Sequence, residues 1–267
     1  METNFLTRIV EQKRSKLERK KQEYPLVADQ VVRPAAKKPS NQRPFFLALD
    51  RSDRLNFIAE IKRASPSRGL LRAYVDPGEL GITYESHGAA AISVLTEEDH
   101  FLGSLEDLKL VKQSVSCPIL RKDFIIDPYQ VYEASAAGAD AILLIAAILD
   151  ATSLSHLSSV AEHVGLSIIV EVHNQAELER AVACGAEIIG INNRDLASLR
   201  VDLHTSLQLA PHVPESTILV SESGISTADD VRLLREAGVD AFLIGEYLMR
   251  SPHPGKSLRE LMIRSLN

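Results

Sequence analysis

The sequence has no tryptophan, only two cysteines, and aromatic residues make up just 5% of its 267 positions. Cys117 and Cys184 have no C-x-x-C spacing, which argues against a disulfide framework and against a cysteine-based zinc site. Long apolar runs are also missing. The longest, "AILLIAAIL" at residues 141–149, is far too short to span a bilayer. The opening "METNFLTRIVEQKRSKLERKKQ" lacks the apolar core of a signal peptide. Positive charge is not in excess. A formal net charge of −6 argues against general nucleic-acid binding, so any anionic ligand would need cations gathered locally. These absences lead us to expect a soluble, cytoplasmic protein with neither membrane nor nucleic acid as partner. The 45% hydrophobic content is enough for a sizeable core.

What is present divides unevenly. Residues 3–22 carry Phe5, Leu6, Ile9, Val10 and Leu17 on a partial apolar stripe, which predicts a helix. Six Lys or Arg residues crowd positions 13–21, read here as a solvated helix face because no aromatics interleave with them. "VVRPAAKKPSNQRP" then reads as a loop punctuated by Pro34, Pro39 and Pro44. The predicted division is an N-terminal helical extension over residues 1–45 and a larger unit over 46–267.

From residue 55 a rhythm sets in. Eight β-rich runs begin at residues 55, 89, 117, 139, 166, 186, 216 and 239, each followed by a longer helix-like segment. "AAGADAI", "ACGAEII" and "EAGVDAF" each put a glycine where a helix would end and small residues before the next strand. Eight such units predict an α/β fold, a closed (β/α)8 TIM barrel. The rival, an open doubly wound sheet, normally carries a glycine-rich phosphate loop after its first strand. Here that place is taken by "RASPSRG", neither G-x-G-x-x-G nor a Walker loop.

The predicted strand ends are charged. In "FIAEIKRASPS", Glu60 and Lys62 stand two apart and therefore point to one face. Lys122, Glu171, Asn192 with Arg194 beyond it, and Glu222 close later strands. A barrel brings these C-terminal ends to one mouth, where barrel enzymes do their chemistry. One buried pair at such a place would be unremarkable as a structural salt bridge. Five ionisable groups at four strand ends point to a site. His173, two residues after Glu171, has no second well-spaced ligand beside it and reads as a polar residue rather than a metal ligand. Gly224 and Gly245 follow the last two strands, where barrels often hold phosphate through backbone N–H groups, and Ser223 could add a hydroxyl.

Six stretches resemble the signature of the indole-3-glycerol-phosphate synthases of tryptophan biosynthesis. They are "FIAEIKRASPS", "LRKDFIIDPYQVYEA", "IIVEVH", "GINNRDL", "VSESGI" and "FLIGEYLMR". The resemblance implies a TIM barrel whose helical extension packs over the mouth. It implies a carboxy-lyase that closes the indole ring of 1-(2-carboxyphenylamino)-1-deoxyribulose 5-phosphate with loss of carbon dioxide and water. It implies neither metal nor organic cofactor. It casts Glu60, Lys62, Lys122, Glu171, Asn192 and Glu222 as catalytic, with Lys122 the acid at the ribulose carbonyl. Ser65, Phe101, Phe124 and Arg194 would bind substrate. Ser223, Gly224, Gly245 and Glu246 would hold the phosphate, with Lys62 or Arg63 adding charge. The absence of tryptophan sets this chain apart from members with a Trp in the extension, leaving Ile9 or a residue of the proline loop to fill that space. Tyr247 stands where a small residue is common. A barrel without a fused second one, acting as a monomer or weak homodimer, is expected.

Rivals remain at this stage. A phosphoribosylanthranilate isomerase would be expected to use a Cys or Asp pair at strand ends, and neither is seen. A Schiff-base aldolase would use Lys122 as nucleophile. A non-catalytic phosphometabolite binder would gain nothing from Glu60, Glu171 and Glu222 around an anion.

Overall fold

A computed structural model of the chain describes residues 5–25, 44–50 and 54–266. Eight strands, β1 (Asn56–Ile61), β2 (Ala91–Leu95), β3 (Ile119–Lys122), β4 (Ala141–Ile145), β5 (Ser167–Val172), β6 (Ile188–Asn192), β7 (Ile218–Glu222) and β8 (Ala241–Ile244), form a closed barrel. Each pairs in parallel with the next, and β1 closes the ring against β8 through Asn56–Ala241 and Phe57–Phe242. The fold is a TIM barrel, and each strand lies inside one of the eight β-rich runs.

Alternation along the strands sorts the side chains into two cores. Ile58, Leu120, Ile169, Val220 and Leu243 face the barrel interior. Their neighbours Phe57, Ile119, Val170, Leu219 and Phe242 pack outward under the helices. The helix starts are local in origin. Asp76, Ser104, Asp127, Asp150 and Asn174 cap α3 (Pro77–Ser86), α4 (Leu105–Ser114), α5 (Pro128–Ala137), α6 (Ala151–His163) and α7 (Gln175–Ala183), their side chains accepting from backbone N–H groups in the first turn. Thr227 and Asp230 make a reciprocal capping box on α8 (Ala228–Glu236). The expected Gly138, Gly185 and Gly238 all adopt left-handed backbone at the ends of helical segments.

Among the described residues two helices precede the barrel. The short α2 (Phe45–Leu49) seals its N-terminal end. Phe45 and Leu49 are buried with Ala90, Ala91, Ile188, Ile218 and Ala241 at the strand starts, and Asn56 Nδ2 donates to the Leu49 carbonyl at 2.8 Å. The first helix, α1 (Phe5–Glu23), runs where the apolar stripe predicts, with Ile9 and Leu17 buried. Its basic run differs from the expected solvated face. Lys13 pairs with Asp123 at 2.6 Å, Lys16 with Asp99 at 2.6 Å, Lys21 with Asp127 at 2.6 Å, and Lys20 with Glu133. The cations match acids on the loops after β2 and β3 and on α5, so the helix is docked by charge as well as by its stripe. The proline loop lies outside the described residues.

Candidate active site

The C-terminal ends of the strands open into a cavity of about 950 Å³. The odd strands β1, β3, β5 and β7 supply its charged groups: Glu60, Lys122, Glu171 and Glu222. Each stands two residues beyond an apolar interior side chain, Ile58, Leu120, Ile169 and Val220 respectively. Alternate strands contribute one layer of a barrel interior, so the four belong at one level. The even strands make room for them. Ser93 on β2 stands beside Glu60 in register. A Cβ on Gly190 of β6 would strike the Glu222 carboxylate, and one on Gly245, just past β8, would strike that of Glu60.

The geometry is that of a relay of opposite charges. Lys122 Nζ lies 2.5 Å from Glu222 Oε2 and 3.2 Å from Glu171 Oε2. Lys62 Nζ lies 2.6 Å from Glu60 Oε1. The partner oxygens Glu60 Oε2 and Glu222 Oε1 are buried with no hydrogen bond. Leaving a carboxylate oxygen buried and unmatched costs stability, and such groups concentrate where a ligand is meant to bind.

Burial opposes the charge on Lys122, but Glu222, Glu171 and Glu60 together hold its ammonium well above the ordinary lysine range. Burial likewise works against an ionised Glu171, yet Lys122, His173 and Asn192 keep its carboxyl well below the usual carboxylate range. Glu222 goes the other way. Burial and the neighbouring charges of Glu171 and Glu60 outweigh Lys122 and push it up to about 7. The two carboxylates flanking one lysine are thus driven apart, one firmly ionised and one able to carry a proton near neutrality, an arrangement suited to acid–base work.

Around this layer stand the other expected residues. Asn192 Oδ1 accepts from the Arg194 backbone N–H at 3.0 Å. The Arg194 guanidinium donates to Ser67 Oγ at 3.0 Å and lies 3.4 Å from Glu246, which also accepts from Arg68 at 3.0 Å. Ser223 and Gly224 both hold positive φ, +68° and +85°; for serine this is a strained backbone of the kind found at ligand sites. Phe101 and Phe124 form an apolar wall with ring centroids 6.4 Å apart, joined by Leu6 of α1. The fourteen residues cast as catalytic, substrate-binding or phosphate-binding, Ser65, Gly245 and Glu246 included, line this one cavity.

Three features escaped the sequence reading. Leu6 reaches the cavity while Ile9, one of the two candidates for the tryptophan's place, is buried beside the same wall; the other candidate, the proline loop, lies outside the described residues. Arg63 does not join Lys62 at the mouth, because its guanidinium is bound to Asp107 on α4. His173 is an ion-pair partner of Glu171 rather than a lone polar residue, with Nε2 3.3 Å from Glu171 Oε1 and Nδ1 2.9 Å from Glu177 Oε2. A hint of this was available: Glu171 and His173 share a strand face, and Glu177 follows four residues on. Among the described residues no cluster of His, Cys, Asp and Glu is arranged to hold a metal ion.

The fold is shared with sugar-phosphate and other barrels at low identity. 3-Hexulose-6-phosphate synthase from Salmonella typhimurium superposes with a TM-score of 0.64 at 15% identity, over 79% of this chain and 99% of that one. Thiamine phosphate pyrophosphorylase from Pyrococcus furiosus gives 0.59 at 19% identity, over 79% and 95%. Sequence comparison is more specific. The family model "Indole-3-glycerol phosphate synthase" matches residues 6–261. The indole-3-glycerol phosphate synthase of Carboxydothermus hydrogenoformans is 46% identical over 97% of this chain and 99% of its own. That of Dehalococcoides mccartyi is 46% identical over 97% and 100%. That of Polaromonas naphthalenivorans is 51% identical over 76% and 78%. The charged mouth and these relatives agree, and the chain belongs to the indole-3-glycerol phosphate synthase family.

Proposed function

We propose that the mouth residues divide the family's reaction among themselves as follows. The enzyme is a carboxy-lyase of tryptophan biosynthesis, and its substrate is 1-(2-carboxyphenylamino)-1-deoxyribulose 5-phosphate. The aromatic ring lies against Phe101, Phe124 and Leu6, and the phosphate is held at the opposite rim by Ser223, Gly224, Gly245 and Glu246 through backbone N–H groups, with Lys62 supplying charge. Ser65, Asn192 and Arg194 orient the hydroxyls and the carboxylate.

Ring closure begins when the aromatic carbon attacks the ribulose carbonyl, whose oxygen takes a proton from the Lys122 ammonium. The cationic intermediate is stabilised by ionised Glu171 until the carboxylate leaves as carbon dioxide. Dehydration then needs one proton removed and one delivered to the departing hydroxyl, a step for Glu60 with Lys62, and for Glu222, which can hold a proton near neutrality. The observation that carries this reading is Lys122 bridging Glu171 and Glu222 at the foot of the cavity. The same observation disfavours a Schiff-base aldolase, since an amine held protonated by three carboxylates is no nucleophile.

The fourteen cavity residues come from one chain, in keeping with a monomer or weak homodimer acting on a small anionic phosphosugar. Two cysteines, both half-buried and without C-x-x-C spacing, fit a reducing compartment, in keeping with the cytoplasm. No helix among the described residues is long and apolar enough to cross a membrane. We take residues 1–45 as an extension serving a catalytic barrel over 46–267, as Leu6 in the cavity wall suggests. The test is direct: addition of the carboxyphenylamino-deoxyribulose phosphate should produce indole fluorescence, and its absence in folded protein would overturn the assignment.

A further inference from the structure

The mechanism leaves unused a half-buried cation that stands against Glu171. His173 follows β5 by one residue and is held from both sides. Glu177 on α7 accepts from its Nδ1 at 2.9 Å and from its backbone N–H at 2.8 Å. Glu171 Oε1 faces its Nε2 at 3.3 Å. The second contact is an ion pair rather than an aligned hydrogen bond, since Nε2 makes none. Glu177 is itself fixed, its Oε1 accepting from Asn174 Nδ2 at 2.7 Å and its backbone N–H capped by Asn174 Oδ1 at 3.0 Å.

With a carboxylate against each ring nitrogen, the imidazole is held as the doubly protonated cation, since either neutral tautomer would set a lone pair against an anion. The other charge facing it is also negative, Asp195 on the loop after β6, whose carboxyl is lowered chiefly by Ser198 and slightly by His173. Arg180 on α7 is occupied elsewhere, donating to the Ala146 carbonyl at 2.8 Å. Beyond Glu171 stands Lys122, so the order is Glu177, His173, Glu171, Lys122, Glu222. Glu171 thus has one oxygen toward each cation, which fixes its carboxylate in rotation as well as in charge.

We propose that His173, anchored by Glu177, is a positioning residue that aims the Glu171 carboxylate at the reaction and keeps it ionised there. It never touches substrate. Lys122 alone would be shared between Glu171 and Glu222; His173 breaks that symmetry by favouring charge on Glu171, leaving Glu222 as the one that carries the proton. Burial disfavours charge on the imidazole, yet Glu171 and Glu177 raise it to about 10, in line with that geometry.

The proposal rests on the role given to Glu171, and the test separates the two. In His173→Gln, an amide replaces the cation. An opposite charge this close lowers a carboxyl pKa by about 1–3 units, so the acid limb of kcat against pH should move up by about one unit or more. At neutral pH kcat should fall about tenfold with KM changed less than about threefold. Glu177→Gln should move the limb in the same direction by less, and serves if the first variant does not fold. An unmoved limb with kcat within twofold of the parent would overturn the proposal. Glu171→Gln is the control. If it abolishes turnover while the His173 and Glu177 variants leave the limb in place, only the positioning role falls; if it retains turnover, the role of Glu171 falls with it.

Discussion

Replacing Glu222 by glutamine should make the protein more stable at pH 8 and less active. The carboxyl is raised from 4.5 to about 7 in the folded protein, by burial first and by Glu171 and Glu60 against the pull of Lys122. A raised folded-state value means the folded chain binds this proton more tightly than the unfolded chain. The stabilisation it brings is complete below about 4.5 and is lost as pH rises through about 7. The difference of about 2.5 units corresponds to about 3 kcal/mol. Glutamine mimics the protonated acid and cannot lose a proton. The variant should therefore match the parent near pH 4.5 and exceed it by about 3 kcal/mol at pH 8, or about 6 °C in Tm for a chain of this size. Thermal unfolding across pH 4.5–8 reads this directly, with turnover measured alongside. A parent whose stability does not fall between pH 5 and 8 relative to the variant would refute the reasoning. A variant with full turnover would remove Glu222 from the chemistry while leaving its electrostatics intact.

Lys122→Ala should lower kcat by at least about 10²-fold with the fold retained; near-normal turnover would remove it as the acid. Lys13→Ala leaves Asp123, whose carboxyl is lowered to about 2 against its burial by Lys13 and Arg121, with one cation fewer; it should loosen α1 and raise KM, which unchanged substrate affinity would contradict. Gly245→Ala drives a Cβ into the Glu60 carboxylate; it should cost about 1–3 kcal/mol and weaken substrate binding, and a neutral result in both would argue against close packing there.

The barrel was legible because its signals are local and repeated: a β-rich run opens each of eight units, and glycines close three of the helices. The charged layer was legible because a strand has a strict period of two, so Glu60 and Lys62 had to share a face. What sequence could not supply was the third dimension around each charge. Nothing in the spacing of Lys13 and Asp123 announces their pairing, so the basic run looked like a solvated surface. Arg63 and Lys62 are adjacent in the chain but diverge, because alternation sends one inward and the other to Asp107. His173 looked isolated because its second partner sits on the following helix. Nothing in the sequence singles out Ser93 or Gly190, and Gly245 reads there as a phosphate-binding glycine; in the fold all three leave volume to the carboxylates.

The plug formed by Phe45 and Leu49 has a consequence for traffic. With the floor of the barrel shut, the phosphosugar, the gas and the water it releases, and the bulky product share, among the described residues, the doorway at the strands' C-terminal ends. Leu6 forms part of its frame, so the first helix stands where departures as well as arrivals pass. A change there can slow the exit of product even when every reacting group is untouched.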